Sequence, residues 1–193
     1  IRRQRQMCIR DRFGGADGVT LSNSLLLERK YNWTGIIAEP GIIWHEALSK
    51  NRDCKIDKRC VWNKNGERLT FKQTLVPELS TIDEFSEIDN HKNLRNDFVS
   101  YDVETITLES LLSDAGAPNI IDYLSIDTEG SEFEILSSFN FDRYLFKIIT
   151  VEHNYTPMRE KINALLLSKG YERVFEEVSL FDDWYVYNIK KSN

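Results

Sequence analysis

The run Ile120-Ile-Asp-Tyr-Leu-Ser-Ile-Asp127 leads directly into Thr128-Glu-Gly-Ser-Glu132. A short apolar run bounded by a turn signal reads as a buried strand. This one ends on a carboxylate and breaks at a glycine, which is how an α/β sheet builds a ligand site at its carboxyl edge. Two more apolar runs finish on acids in the same way. They are Ile36-Ile-Ala-Glu39, followed by Pro40, and Ile148-Ile-Thr-Val-Glu152, followed by His153 and Asn154. Three such strands point to one shared crevice.

Outward from these strands, helical and strand patterns alternate. Ser22 and Asn23 offer cap chemistry for a helix over 24–31, and the strand 34–39 is followed by a helix over 41–50 that Pro40 opens. A short strand is expected at 53–57. Lys64-Asn65-Gly66 between the β-prone runs 60–63 and 67–71 predicts a hairpin. Residues 72–99 are polar and irregular, the pattern of a lid or insertion. Thr107 caps a helix through Ala115, which Gly116 and Pro118 stop. Helices are predicted over 131–139 and from Thr156-Pro157 to Lys169, around a strand at 146–152. Strands 171–175 and 184–189 close the chain as an antiparallel hairpin. The alternation means an α/β sandwich with a largely parallel sheet.

The chain has 193 residues, 41% of them hydrophobic, which suits one domain with a real core. No apolar stretch reaches the roughly 18 residues of a membrane span. Cys8, Cys54 and Cys60 show no metal spacing and read as free thiols in a reducing compartment, so a cytoplasmic location is expected. Residues 1–12 hold five Arg and one Asp; of the 25 basic and 31 acidic side chains, 20 and 30 remain in residues 13–193. An acidic body excludes nucleic acid as the expected partner, because phosphate binding needs a basic footprint. The basic string resembles translated sequencing-adapter sequence. It is expected to be non-native, with the domain spanning 13–193, its first strand truncated, and a hairpin and polar insertion at about 60–99.

The turn Gly14-Gly-Ala-Asp-Gly18 lacks the third glycine of a dinucleotide fingerprint and carries an acid that would repel pyrophosphate. A ligand with an ammonium beside a carboxylate suits it better; a plain Asp-Gly turn is the structural alternative. Glu39 at a strand end suits the two hydroxyls of a ribose. Together they describe an amino-acid-bearing nucleoside, of which S-adenosylmethionine is the common one.

These residues carry a resemblance. Gly14–Gly18 with Val19-Thr-Leu-Ser-Asn-Ser24, Trp33-Thr-Gly-Ile-Ile-Ala-Glu-Pro40, Arg52, Leu124-Ser-Ile-Asp-Thr-Glu-Gly-Ser-Glu132, Val151-Glu-His-Asn154 and Gly170-Tyr171 occur in order over most of residues 13–187. The chain resembles the FkbM-type methyltransferases, a branch of the S-adenosylmethionine-dependent Rossmann-like enzymes. The resemblance implies a class I methyltransferase sandwich, with a mostly parallel seven-stranded sheet and an antiparallel last strand. It implies methyl transfer to a hydroxyl of a sugar, glycan or secondary metabolite. By the same resemblance Gly14, Asp17 and Gly18 cradle the methionine part, with Ser22 and Asn23 beside it. Glu39 holds the ribose, Asp57 sits by the adenine, and Asp127 closes the pocket. Ser24 departs mildly from a common Thr.

Transfer to a hydroxyl calls for a base within hydrogen-bond reach. His153 and Glu129 are the candidates, with Glu132 and Glu152 nearby. Asp127, Glu129, Glu132 and His153 also make an oxygen-rich group of the kind that suits Mg²⁺ or Ca²⁺. Cofactor contact and helix starts already account for the acids, and no metal is expected. The competing readings are a non-catalytic binding domain that keeps this fold and a nicotinamide oxidoreductase.

Overall fold

The structure is a computed structural model and describes residues 11–13, 15–20, 22–86 and 96–188. Among these the first half runs β1 (Asp11–Phe13), α1 (Leu25–Tyr31), β2 (Ile36–Ala38), α2 (His45–Asn51), β3 (Lys55–Asp57), β4 (Cys60–Trp62), β5 (Arg68–Thr74) and β6 (Thr81–Ile82). The second half runs β7 (Phe98–Thr107), α3 (Leu108–Ala115), β8 (Ile120–Ile126), α4 (Glu132–Ser138), β9 (Leu145–Glu152), α5 (Met158–Ser168), β10 (Tyr171–Val174) and β11 (Asp182–Tyr187).

The larger sheet is mixed and has seven strands, in the order β10-β11-β9-β8-β1-β2-β3. The ladders from β9 through β3 are parallel, and β11 runs antiparallel between β9 and β10. Helices cover both faces of such a sheet, so its strands read as continuous apolar runs. Ile121, Leu124, Phe146 and Ile149 are fully buried and pack with Leu136 of α4 and Leu166 of α5. Each such side chain contributes roughly 1.5–3 kcal/mol. Thr107 caps α3 by accepting from the Ser110 amide, and Gly116 ends it in the left-handed conformation.

Strand order reverses at β1. The chain steps from β1 to β2 and β3 on one side, and from β8 to β9 on the other. A crevice opens at the carboxyl ends of strands at such a point. Asp11 and Arg12, which fall in the segment 1–12 set apart as non-native, pair through the backbone with Ile36, Ile37 and Ser125. β1 thus begins at Asp11. The rest of that segment, residues 1–10, lies outside the described residues.

Residues 60–107 correct the sequence reading. The runs around Asn65-Gly66 do not pair with each other. Instead β4 lies parallel to β7, and β5 lies antiparallel along its other edge, giving a second sheet in the order β4-β7-β5-β6. The Asn65 side chain accepts from the Thr107 amide, and the Gly66 amide donates to the Thr105 carbonyl. The expected hairpin turn thus crosses over the end of β7. Its sequence signal is local, whereas the winning edge comes from a strand about forty residues away. Residues 98–107, partly assigned to the irregular stretch, are that strand. Cys60, Trp62, Phe71, Ile82, Phe85 and Val103 form its own small core.

Candidate functional site

A cavity of about 500 Å³ opens at the strand-order reversal. Its walls come from the loops after β1 (Ala16, Thr20, Asn23), β2 (Glu39, Pro40, Trp44) and β8 (Asp127, Thr128, Glu129), and from the end of β9 with its loop (Glu152, Asn154). The second sheet adds Cys60, Val61, Phe71 and Ile82, and the approach to β11 adds Phe181 and Asp182. That size and mixed lining suit a small-molecule ligand.

Glu39 is 4% exposed. Its Oε2 accepts from the Ala16 amide at 2.9 Å and its Oε1 from the Gly41 amide at 2.7 Å. One carboxylate thereby ties the loop after β1 to the loop after β2. These charge-assisted bonds orient it toward the cavity it lines. Gly15 permits the approach: a Cβ there would stand 2.4 Å from Ile37 Cγ2. Burial, and then the Glu39 charge, push the Cys60 thiol up to about 12, so it serves as apolar wall.

The rest of the glycine-rich loop is held by hydrogen bonds within the protein. Asp17 accepts from the Val19 and Thr20 amides and from the Thr20 hydroxyl, an Asx-type turn. Gly18 adopts φ 78°, and the Arg52 guanidinium donates to its carbonyl and to Ser22 and Ser24. Arg52 also pairs with Glu28 at 2.8 Å, almost wholly buried. Asp17, Gly18 and Ser22 are not among the described residues lining the cavity, and Gly14 lies outside the described residues. Asn23 does line it, and donates to Asp182 at 3.2 Å across the mouth.

Asp57 also stands off the wall. Burial alone would raise its carboxyl, but hydrogen bonds from Arg59 hold it below the usual range. Its charge is met within its own turn by Arg59, and Trp44, Cys60 and Val61 line the cavity on that side.

The turn after β8 is held from within. Glu132 Oε1 accepts from the Thr128 amide and hydroxyl and from the Gly130 amide. Thr81 of β6 donates to the Glu129 carbonyl at 3.0 Å. Glu129 and Gly130 take φ 57° and 125°, and Phe85 packs against Gly130 where a Cβ would stand. Glu129 is thereby turned into the cavity, where its Oε2 accepts from Asn154 at 3.4 Å.

Asp127, Glu129 and Glu152 offer oxygens that all lie within 4.8 Å of one another. These three are within reach of a single divalent cation. Glu152 thus joins Asp127 and Glu129 where the sequence suggested Glu132 and His153. Burial first, then the charges of Asp127 and Glu129, drive the Glu152 carboxyl far above its usual value. A carboxyl raised this far keeps its proton at neutral pH.

His153 is buried and stands off this cavity. Its Nδ1 accepts from the Tyr155 amide at 3.0 Å, and its Nε2 lies 3.8 Å from Asp183. Burial and the neighbouring Arg159 lower its pKa. Cys54 and Cys60 are thiols without a disulfide.

An α/β sheet of this order, with acids from strand ends around one cavity, is consistent with a methyltransferase-type fold. The family model described as the methyltransferase FkbM domain matches residues 13–178, and the chain belongs to that family. Neither the curated proteins nor the solved structures include a match to it. No helix among the described residues is long and apolar enough to cross a membrane.

Proposed function

We propose that the chain is an S-adenosylmethionine-dependent O-methyltransferase acting on a hydroxyl of a small molecule or glycan. The observation that carries this reading is Glu39, a buried carboxylate fixed by two loop amides at the strand-order reversal. Such a group suits the paired hydroxyls of a ribose. Trp44, Cys60, Val61 and Ile82 supply an apolar wall for the base, and Asp127, Asn23 and Ala16 line the part nearer β1. Carboxylates around this space favour a ligand with positive charge. When bound, S-adenosylmethionine supplies a methyl carbon activated by its sulfonium.

The chain must align the acceptor hydroxyl, hold its proton and exclude water. Glu129 is the group we assign to take that proton. It lines the cavity, and the left-handed turn at 129–130 aims it there. Asp127 and Glu152 adjoin it, with oxygens within 4.8 Å. His153, with Nδ1 committed to the Tyr155 amide, is not assigned as the base.

Calorimetric titration with S-adenosylhomocysteine tests the cofactor half. Heat and a thermal shift are expected with wild type, and their absence would sink the reading. Binding that persists in Glu129→Gln, with loss of methyl transfer to a screened panel of hydroxyl compounds, is expected for the base. Retained cofactor binding with no hydroxyl methylated by wild type would instead favour a non-catalytic binding domain.

A further inference from the structure

We propose that Tyr155 and Phe181 form the outer wall of the acceptor site, receiving an apolar ring of the acceptor, and that His153 acts by positioning that wall. The inference rests on the methyltransferase reading of the cavity and names what its mouth selects. Phe181 lines the cavity yet remains 59% exposed. Tyr155, 63% exposed, meets it edge-on with centroids 6.5 Å apart. Two large rings in contact with each other and with solvent, at the rim of a ligand cavity, are suited to cover apolar ligand surface.

The wall is held in a conformation its own residues disfavour. Asn154 and Tyr155 take φ 40° and 56° in succession. Strain of this kind persists only where the surroundings over-determine it, and it clusters at ligand sites. His153 supplies the constraint. Its amide donates to the Phe181 carbonyl at 2.8 Å, and its carbonyl accepts from Thr156 at 2.8 Å. Its Nδ1 accepts from the Tyr155 amide, and its ring stands 5.0 Å from the Tyr155 ring. One buried residue therefore ties the Phe181 main chain to the Tyr155 turn, and its neighbour Asn154 donates to Glu129. Because Nδ1 accepts, the ring proton sits on Nε2, facing Asp183, which Arg159 grips with two hydrogen bonds.

The test uses protein loaded with S-adenosylhomocysteine and two neutral probes, phenyl β-glucopyranoside and methyl β-glucopyranoside, with affinities from ligand-observed NMR titration. The phenyl probe is expected to bind roughly tenfold tighter. Tyr155→Ser and Phe181→Ser change exposed positions and are expected to bring the ratio within about twofold. His153→Ala should do the same. His153→Asn keeps an acceptor at the δ position and should preserve most of the preference, which a base or a generic core residue would not do. Equal affinities, or no binding of either probe, overturn the proposal. Equal loss in His153→Asn and His153→Ala overturns the positioning role. A concentration-dependent dimer in sedimentation, dissolved by Phe181→Ser, would assign the rings to a second copy of the chain and also overturn it. Calorimetry with S-adenosylhomocysteine on the same samples separates the two levels. No cofactor heat sinks the methyltransferase reading, whereas normal heat without a phenyl preference sinks only the wall.

Discussion

Glu39 follows β2 and Glu152 ends β9, with two strands of the sheet between them; both line the same cavity, yet their surroundings are opposite. Glu39 receives two backbone amides, at 2.9 and 2.7 Å. Glu152 faces two other carboxylates, with oxygens within 4.8 Å. The first is a charge already stabilised, and it is ready to accept hydroxyl donors. The second is a charge that burial and its neighbours suppress, and it is ready to hold a proton. One strand-end position therefore yields two chemistries, and the backbone around it decides which.

The largest effect is expected at the stabilised end. Glu39→Ala leaves the Ala16 and Gly41 amides without their carboxylate and removes the ribose partner. Affinity for S-adenosylhomocysteine should fall by roughly 100-fold, and stability by about 2 kcal/mol. Calorimetry and a urea melt read both, and an unchanged affinity would break the comparison. Next comes the approach that lets Glu39 reach across. Gly15→Ala drives a methyl to 2.4 Å from Ile37 Cγ2, and should destabilise by about 1–3 kcal/mol in the same melt.

At the suppressed end the sign reverses. With its pKa raised above the usual 4.5, Glu152 holds a proton in the folded protein that the unfolded chain releases. Stability from this group is thus full below pH 4.5 and declines as pH rises toward the raised folded value. Glu152→Gln removes the decline. Its Tm at pH 8 should exceed wild type by about 2–6 °C, and the two should converge near pH 4. A lower Tm at pH 8 would show that Glu152 is stabilised as an anion.

The smallest effect is expected at Asp17, whose carboxylate serves its own turn. Asp17→Ala should lose only about 0.5–1 kcal/mol, and leave cofactor affinity within about threefold. A hundredfold loss of affinity would return Asp17 to the cofactor and make the loop a second Glu39.

The parallel strands were legible because they carry their own signal. β2, β8 and β9 are largely apolar runs that lead into acids, and Thr107 and Gly116 mark both ends of α3. Glu39, Asp127 and Glu129 were legible as crevice residues for the same reason. Other roles were not. Nothing in Gly14–Gly18 says that Asp17 turns inward to Val19 and Thr20, since an Asp-Gly turn reads alike in both roles. Arg59, two residues after Asp57, was the available hint that this acid is neutralised. Trp184, in the alternating run 184–189, is 36% exposed and meets Phe175 edge-on at 6.5 Å. An alternating strand gives its period without saying which face is covered.

The sequence by itself determined the alternating α/β order, the acids at three strand ends and the family, because buried strands and their breaks are written in contiguous residues. Only the tertiary structure decided that Glu152 joins Asp127 and Glu129, that β7 separates β4 from β5, and that His153 braces a turn instead of facing the cavity. Those outcomes depend on groups brought together from distant parts of the chain, where distance and burial, rather than residue type, set the charge and the partner.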